Sequence, residues 1–144
     1  MPDRHTAQQL NSGAIHLLRA LRLVDRQAGL TSARLSALSV LVFGGPHSMG
    51  ALAAAEDVTS PTMTRIVDGL ERDRLARRRV LAGPGRPVEV SATARGRRLM
   101  EQAAGRRLDA LEAAIAQLSA DDRLALRAAA PILDTLATHL RTAD

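Results

Sequence analysis

Residues 60–72, SPTMTRIVDGLER, put short hydroxyls and arginines on one side of a helix and apolar groups on the other. Met63, Ile66, Val67 and Leu70 fall at i, i+3, i+4 and i+7, the spacing of one buried stripe, while Thr62, Thr64, Arg65, Asp68, Gly69 and Arg72 point away from it. Hydroxyls bond phosphate oxygens and base edges, and arginine contacts guanine or phosphate, so a small polar face with an arginine near its N-terminus suits a DNA major groove. Ser60 is expected to be the N-cap and Pro61 the first helical residue, where its missing N–H is not needed and its fixed φ fits. More arginines follow in Arg77, Arg78 and Arg79, assigned with Arg72 to an exposed DNA-binding surface, and another, Arg86, sits in Gly83-Pro84-Gly85-Arg86-Pro87, a cluster that must turn. Ala76–Ala82 and Val88–Ser91 alternate partially on either side of it, which predicts a β-hairpin with an arginine at its tip. An arginine on a narrow ribbon can enter a minor groove, where A·T-rich sequence deepens the negative potential.

The elements that position these groups follow from the flanking residues. Ser48 opens a short helix carrying Met49, Leu52, Ala53 and Ala55, small enough to cross the polar-faced helix closely, and Glu56–Thr59 supplies the turn between them. Helix, turn, helix and hairpin make a winged helix-turn-helix, expected over about residues 31–92, in which Ser48 also faces DNA. Thr31 or Ser32 caps a further helix with Leu35, Leu38, Leu41 and Val42 that ends at Gly44-Gly45-Pro46.

Longer helices are expected from both ends of the chain, over about residues 8–28 and 93–142. The first, from Leu10 to about Ala28, carries Leu10, Ala14, Leu17, Leu18, Leu21 and Val24. Thr93 caps a second, through about Leu118, with Leu108, Leu111, Ile115 and Leu118 in one seam. Ser119, with Asp122 three residues on, caps a third that bears Leu133, Leu136 and Leu140 and is kinked at Pro131. Phe43 is the only aromatic ring, so the core is aliphatic, and such seams call for another chain. Leu10, Leu17, Leu108, Leu111, Ile115, Leu133, Leu136 and Leu140 are therefore assigned to a homodimer interface, with a monomeric cap over the wing as the alternative. The fold class is mainly α with a small β-hairpin: a single domain over 1–144, a winged helix-turn-helix with a dimerisation bundle drawn from both termini.

Charge supports the same placement. The 144 residues carry a net charge of +5, yet residues 61–107 alone hold twelve arginines against five acids, a balance of +7 that leaves −2 elsewhere. Every basic residue is arginine, which a G+C-rich genome would also produce, so the clustering and not the number points to a phosphate-binding surface. The chain has no cysteine, and so no disulfide or thiolate chemistry. No eighteen-residue apolar run and no secretory leader is present, which implies a cytoplasmic protein with no membrane span. His5, His16, His47 and His139 have no partner at metal-ligand spacing, and neither a nucleophile with a base nor a phosphate-binding glycine loop is evident. No metal, cofactor or enzymatic activity is expected. A winged module whose arginines meet an acidic protein, with no specific DNA binding, is the alternative in a different class.

The order of elements, with SMGALAAAEDVTSPTMTRIVDGLERDRLARR and VEVSATARGRRL, resembles the MarR family of bacterial transcriptional regulators over nearly the whole chain. The resemblance implies an obligate homodimer on double-stranded DNA at a pseudo-palindromic operator, acting mainly as a repressor. Ser60, Thr62, Thr64 and Arg65 would then meet bases and phosphates, and Arg86 would be the wing-tip arginine. Family members bind anionic or aromatic effectors between the dimerisation helices and the winged module, which by location makes His16, Arg19, Arg22 and Phe43 effector candidates. The pattern departs at two places. Pro84 stands where the family usually has an Asp that braces the wing arginine, and Ala92 where it has a leucine beneath the wing.

Overall fold

The computed structural model describes residues 2–85 and 87–143, so Arg86, the expected wing-tip arginine, lies outside the described residues. In chain order the elements are α1 (Pro2–Asp25), a 3-10 turn (Arg26–Ala28), α2 (Ser32–Gly44), the short strand β1 (His47–Ser48), α3 (Met49–Ala55) and α4 (Ser60–Arg72). They continue with β2 (Ala76–Val80), β3 (Val88–Ala92), α5 (Ala94–Ala116) and α6 (Ala120–Arg141). The chain divides into two compact units, one reaching to Arg107 and the other beginning at Leu108, with the boundary inside α5. The mainly helical winged fold expected from the residue pattern is the one observed.

Aliphatic burial holds the first unit together. Leu38 and Leu41 of α2, Leu52 of α3, Met63, Val67 and Leu70 of α4, Leu75 at the start of the wing and Val90 of β3 are all fully buried. Each such side chain contributes on the order of 1.5–3 kcal/mol when removed from water, enough to build a core without aromatic rings. Thr31 caps α2 by accepting from the Arg34 N–H at 3.3 Å, and Ser48 caps α3 by accepting from the Ala51 N–H at 3.1 Å. The expected cap of α4 is corrected by one residue. Thr59, with extended backbone, accepts from the Thr62 N–H, so Ser60 is already helical and Pro61 sits in the first turn. Two hydroxyl residues in a row leave this choice to backbone geometry, which residue type alone does not fix.

The sheet has a third strand that the sequence pattern did not indicate. β1 pairs antiparallel with β3, His47 opposite Val90 and Ser48 opposite Glu89, giving the order β1-β3-β2. Two residues are too few to display alternation. β2 ends at Val80, short of the expected Ala82, although the Leu81 N–H still bonds the Pro87 carbonyl at 2.9 Å, and β3 extends to Ala92, opposite Ala76. α1 begins at Pro2, well before the expected boundary near residue 8, and Asp3 in its first turn complements the N-terminal dipole. α6 is capped by Ser119, which accepts from the Asp122 N–H at 3.1 Å, and continues through Pro131 to Arg141.

The turn between α3 and α4 and the exit from α4 into the wing share one design. In each, the residue after the helix cap turns left-handed, Asp57 at φ 51° and Arg74 at φ 60°. The next N–H then reaches five residues back, Val58 to the Ala53 carbonyl at 3.0 Å and Leu75 to the Leu70 carbonyl at 2.8 Å. Glycine is the residue best suited to that position, and aspartate tolerates it better than arginine. Arg74→Gly is therefore expected to stabilise the chain by about 1 kcal/mol, read as a Tm raised by a few degrees. A lowered Tm would show that the Arg74 side chain contributes more than its strained backbone takes away.

Candidate nucleic-acid interface

α4 separates its two faces as the residue spacing predicts, with one correction. Met63, Ile66, Val67 and Leu70 are buried, and Ser60, Pro61, Thr62, Thr64, Arg65, Asp68 and Arg72 are exposed, but Gly69, expected on the polar face, is buried because the Arg34 side chain packs over it. The hydroxyls are not equivalent donors. Thr64 spends its proton on the Ser60 carbonyl at 3.0 Å, leaving oxygen lone pairs to accept from a base amine, whereas Thr62 accepts from the Thr59 hydroxyl at 2.9 Å and keeps its own proton free. Ser60 and Arg65 make no side-chain bond to other described residues. Over its first two turns this face offers donors, acceptors and the free cation of Arg65.

The wing adds charge. Arg77 is exposed on β2, and Arg79 reaches across to Glu89 of β3 at 3.4 Å with its guanidinium still largely in solvent. Ser48, expected to face DNA, is exposed at the start of α3, although its hydroxyl also serves as the cap. Arg78 departs from the exposed set in which the sequence reading placed it. Strand alternation turns it back onto α4, where its guanidinium pairs with Glu71, bonds Asp68 Oδ1 at 2.7 Å and reaches the Thr64 carbonyl at 3.4 Å. Its backbone N–H also donates to Glu71. Burial lowers the guanidinium pKa, but the hydrogen bonds and charges of Asp68 and Glu71 outweigh it and the pKa is raised. Arg78 is thus an internal tie, one that residue spacing does not signal because its partners lie ten and seven residues away, across a turn.

A separate cleft of about 450 Å³ opens within the first unit, between α1, α2 and the first part of α5. Arg22 and Phe43, two of the effector candidates, line it together with Leu18, Met100 and a row of hydroxyls from Ser32, Ser36 and Ser39. His16 and Arg19 do not. Leu18, Arg22 and Asp25 follow the four-and-three spacing that faces the cleft, which rotates His16 and Arg19 onto other sides of α1. At its inner end the Asp25 carboxylate, nearly buried, takes both Nε and Nη2 of Arg107 at 2.7 and 2.5 Å. The hydrogen bond to Asp25 dominates over burial and raises the Arg107 pKa. These two residues are 82 positions apart, and local periodicity carries no trace of their pairing. Ser36, in the cleft lining, donates to Glu56, at the turn before α4, at 2.9 Å.

Most of the residues assigned to a dimer seam remain uncovered. Leu10 and Leu17 on α1 are exposed, as are Leu108, Ile115, Leu133, Leu136 and Leu140 in and beyond the second half of α5, with Leu108 at 67% and Leu140 at 72%. Leu111 is half-buried. α6 contains no buried residue. No helix among the described residues is long and apolar enough to cross a membrane.

This winged arrangement is widely shared. The MarR family model matches residues 28–87, which cover α2 through β2 and end just before β3. An uncharacterized HTH-type transcriptional regulator of Mycobacterium leprae is 33% identical over 131 residues, 91% of this chain and 92% of that protein. Among solved structures, a MarR family protein from Bacillus stearothermophilus superposes with a TM-score of 0.79 at 22% identity, over 96% of this chain and 99% of that one. A mutant of S. aureus MepR bound to an oligodeoxyribonucleotide has a TM-score of 0.69 at 19% identity, over 92% and 96% of the two chains. The mycobacterial relative extends over the terminal helices as well as the winged segment, so on sequence and fold together the chain belongs to the MarR family of transcriptional regulators.

Proposed function

We propose that this chain is a homodimeric DNA-binding repressor that reads a pseudo-palindromic operator with α4 and flanks it with the wing. The observation that carries the reading is the exposed face of α4, where Ser60, Thr62, Thr64 and Arg65 stand together over a fully buried apolar stripe. A mutant MepR of the same fold is bound to an oligodeoxyribonucleotide, and the arginine-rich segment supplies the counterion-releasing charge that such binding uses. Exposed leucines on α1 and α6 supply the apolar area that a second copy would cover, and two copies place two recognition helices on half-sites about one helical turn apart. Occupying the operator blocks polymerase, and the protein works in the cytoplasm. Arg65 is the base-reading cation of the set. Arg65→Ala is expected to weaken binding by about 1–3 kcal/mol and to relax preference at one base pair, measured on a duplex selected by the wild-type protein and its single-base variants. Equal affinities for wild type and variant across that panel would remove Arg65 from the interface.

The cleft is the effector site in this reading. Its volume is in the range of small-molecule pockets, and it sets the Arg22 cation and a hydroxyl row against Phe43, Met100 and Leu18, which fits a small amphipathic anion. Titration with benzoate, comparing wild type with Arg22→Ala, tests it: saturable binding lost in the variant is expected, and binding of equal strength in both would place the anion elsewhere.

A further inference from the structure

The buried stripe of Met63, Val67 and Leu70 sets which face of α4 is exposed, to within the play that non-directional apolar contacts allow. Arg78 removes that play. From β2 its guanidinium spans Asp68 and Glu71, one turn apart on α4, and reaches the Thr64 carbonyl in the turn that carries Thr64 and Arg65, while its own N–H donates to the Glu71 carboxylate. A planar guanidinium with several fixed donors holds one geometry where a single ammonium would swivel. The same pairing occupies both carboxylates of α4. Released, Asp68 would repel phosphates or accept from a cytosine amine.

We infer that Arg78 is a positioning residue for sequence reading: it locks the rotation of α4 against the wing and withholds Asp68 and Glu71 from DNA, and it makes no DNA contact itself. This inference rests on the DNA-binding reading above. The readout is the ratio of affinities for a duplex enriched by the wild-type protein from a random-sequence pool and for a scrambled duplex, together with the salt slope and Tm. Arg78→Ala and the pair Asp68→Asn/Glu71→Gln are each expected to lower that ratio about tenfold, and combining all three substitutions is expected to lower it no further, since one bridge is being removed each time. The salt slope of Arg78→Ala should match that of wild type. An unchanged ratio with a slope reduced by about one unit would make Arg78 a phosphate contact and overturn the inference. A lowered Tm with an unchanged ratio would overturn it too, by making the tie a matter of stability alone. If Arg78→Ala does not fold, the Asp68→Asn/Glu71→Gln protein decides in its place, because it keeps the arginine: a lowered ratio supports the role and an unchanged one removes it. A wild-type protein that enriches no sequence would overturn the DNA-binding reading itself, and the role of Arg78 with it.

Discussion

Leu136→Glu is expected to turn a dimer into a monomer and to remove operator binding with it. Leu133, Leu136 and Leu140 recur at three and four residues along α6, all exposed in the single chain, and α6 buries none of its residues there. In the proposed dimer they are covered by the second copy, and a carboxylate at 136 would be desolvated without a partner on both sides of the symmetry axis. An unpaired buried charge weakens association by roughly 3–5 kcal/mol, a factor of about 10² to 10⁴ in the dissociation constant. DNA affinity falls further than either half-site contact explains, because the second recognition helix no longer binds as part of the same particle. Sedimentation equilibrium at micromolar concentration reads the first effect and titration of the selected duplex the second. A wild-type protein that is already monomeric, or a variant that stays dimeric and binds as before, would contradict the assignment of this seam.

Gly96→Ala is expected to have the next largest effect, through the joint where α5 leaves the wing. Thr93 organises that joint: its hydroxyl donates to the Arg74 carbonyl at 2.7 Å and accepts from the Gly96 N–H at 3.0 Å, while its N–H donates to the Leu75 carbonyl at 3.0 Å. The backbones are so close that a Cβ on Gly96 would lie 2.1 Å from the Leu75 carbonyl oxygen, far inside contact distance. Backbone cannot swing aside as a side chain can, so α5 must shift and loosen the Thr93 bonds. Overpacking of this kind, with weakened hydrogen bonds, destabilises by about 3 kcal/mol, a fall in Tm on the order of 10 °C for a domain of this size. Thermal unfolding measures it, and a Tm equal to wild type would mean that the joint has slack.

What could be read in the residues and what could not divides along a physical line. α4 was legible because the 3.6-residue period of Met63, Ile66, Val67 and Leu70 is written in the chain itself, and so were the caps at Ser48 and Ser119 and, to within one residue, that at Thr31, which act within three residues. The hairpin was legible from its glycines and prolines. Pairings that close only in three dimensions were not. Arg78 looked like one more surface arginine among three, until strand alternation turned it onto Asp68 and Glu71. Asp25 at the end of α1 and Arg107 in α5 meet across 82 positions of chain, and β1 is too short for any periodicity to register. The effector candidates show the same limit: position on α1 was foreseeable, but the rotation of the helix admits Arg22 to the cleft and excludes His16 and Arg19.

The claim on which the rest depends is that two copies of this chain read one DNA site. Selecting duplexes from a random-sequence pool with the wild-type protein, then weighing the complex on the most enriched duplex by sedimentation, tests it in one measurement. The expected result is an inverted repeat with half-sites about one helical turn apart, carrying two chains per duplex. Enrichment of no sequence, or a single chain bound to an asymmetric site, would contradict it.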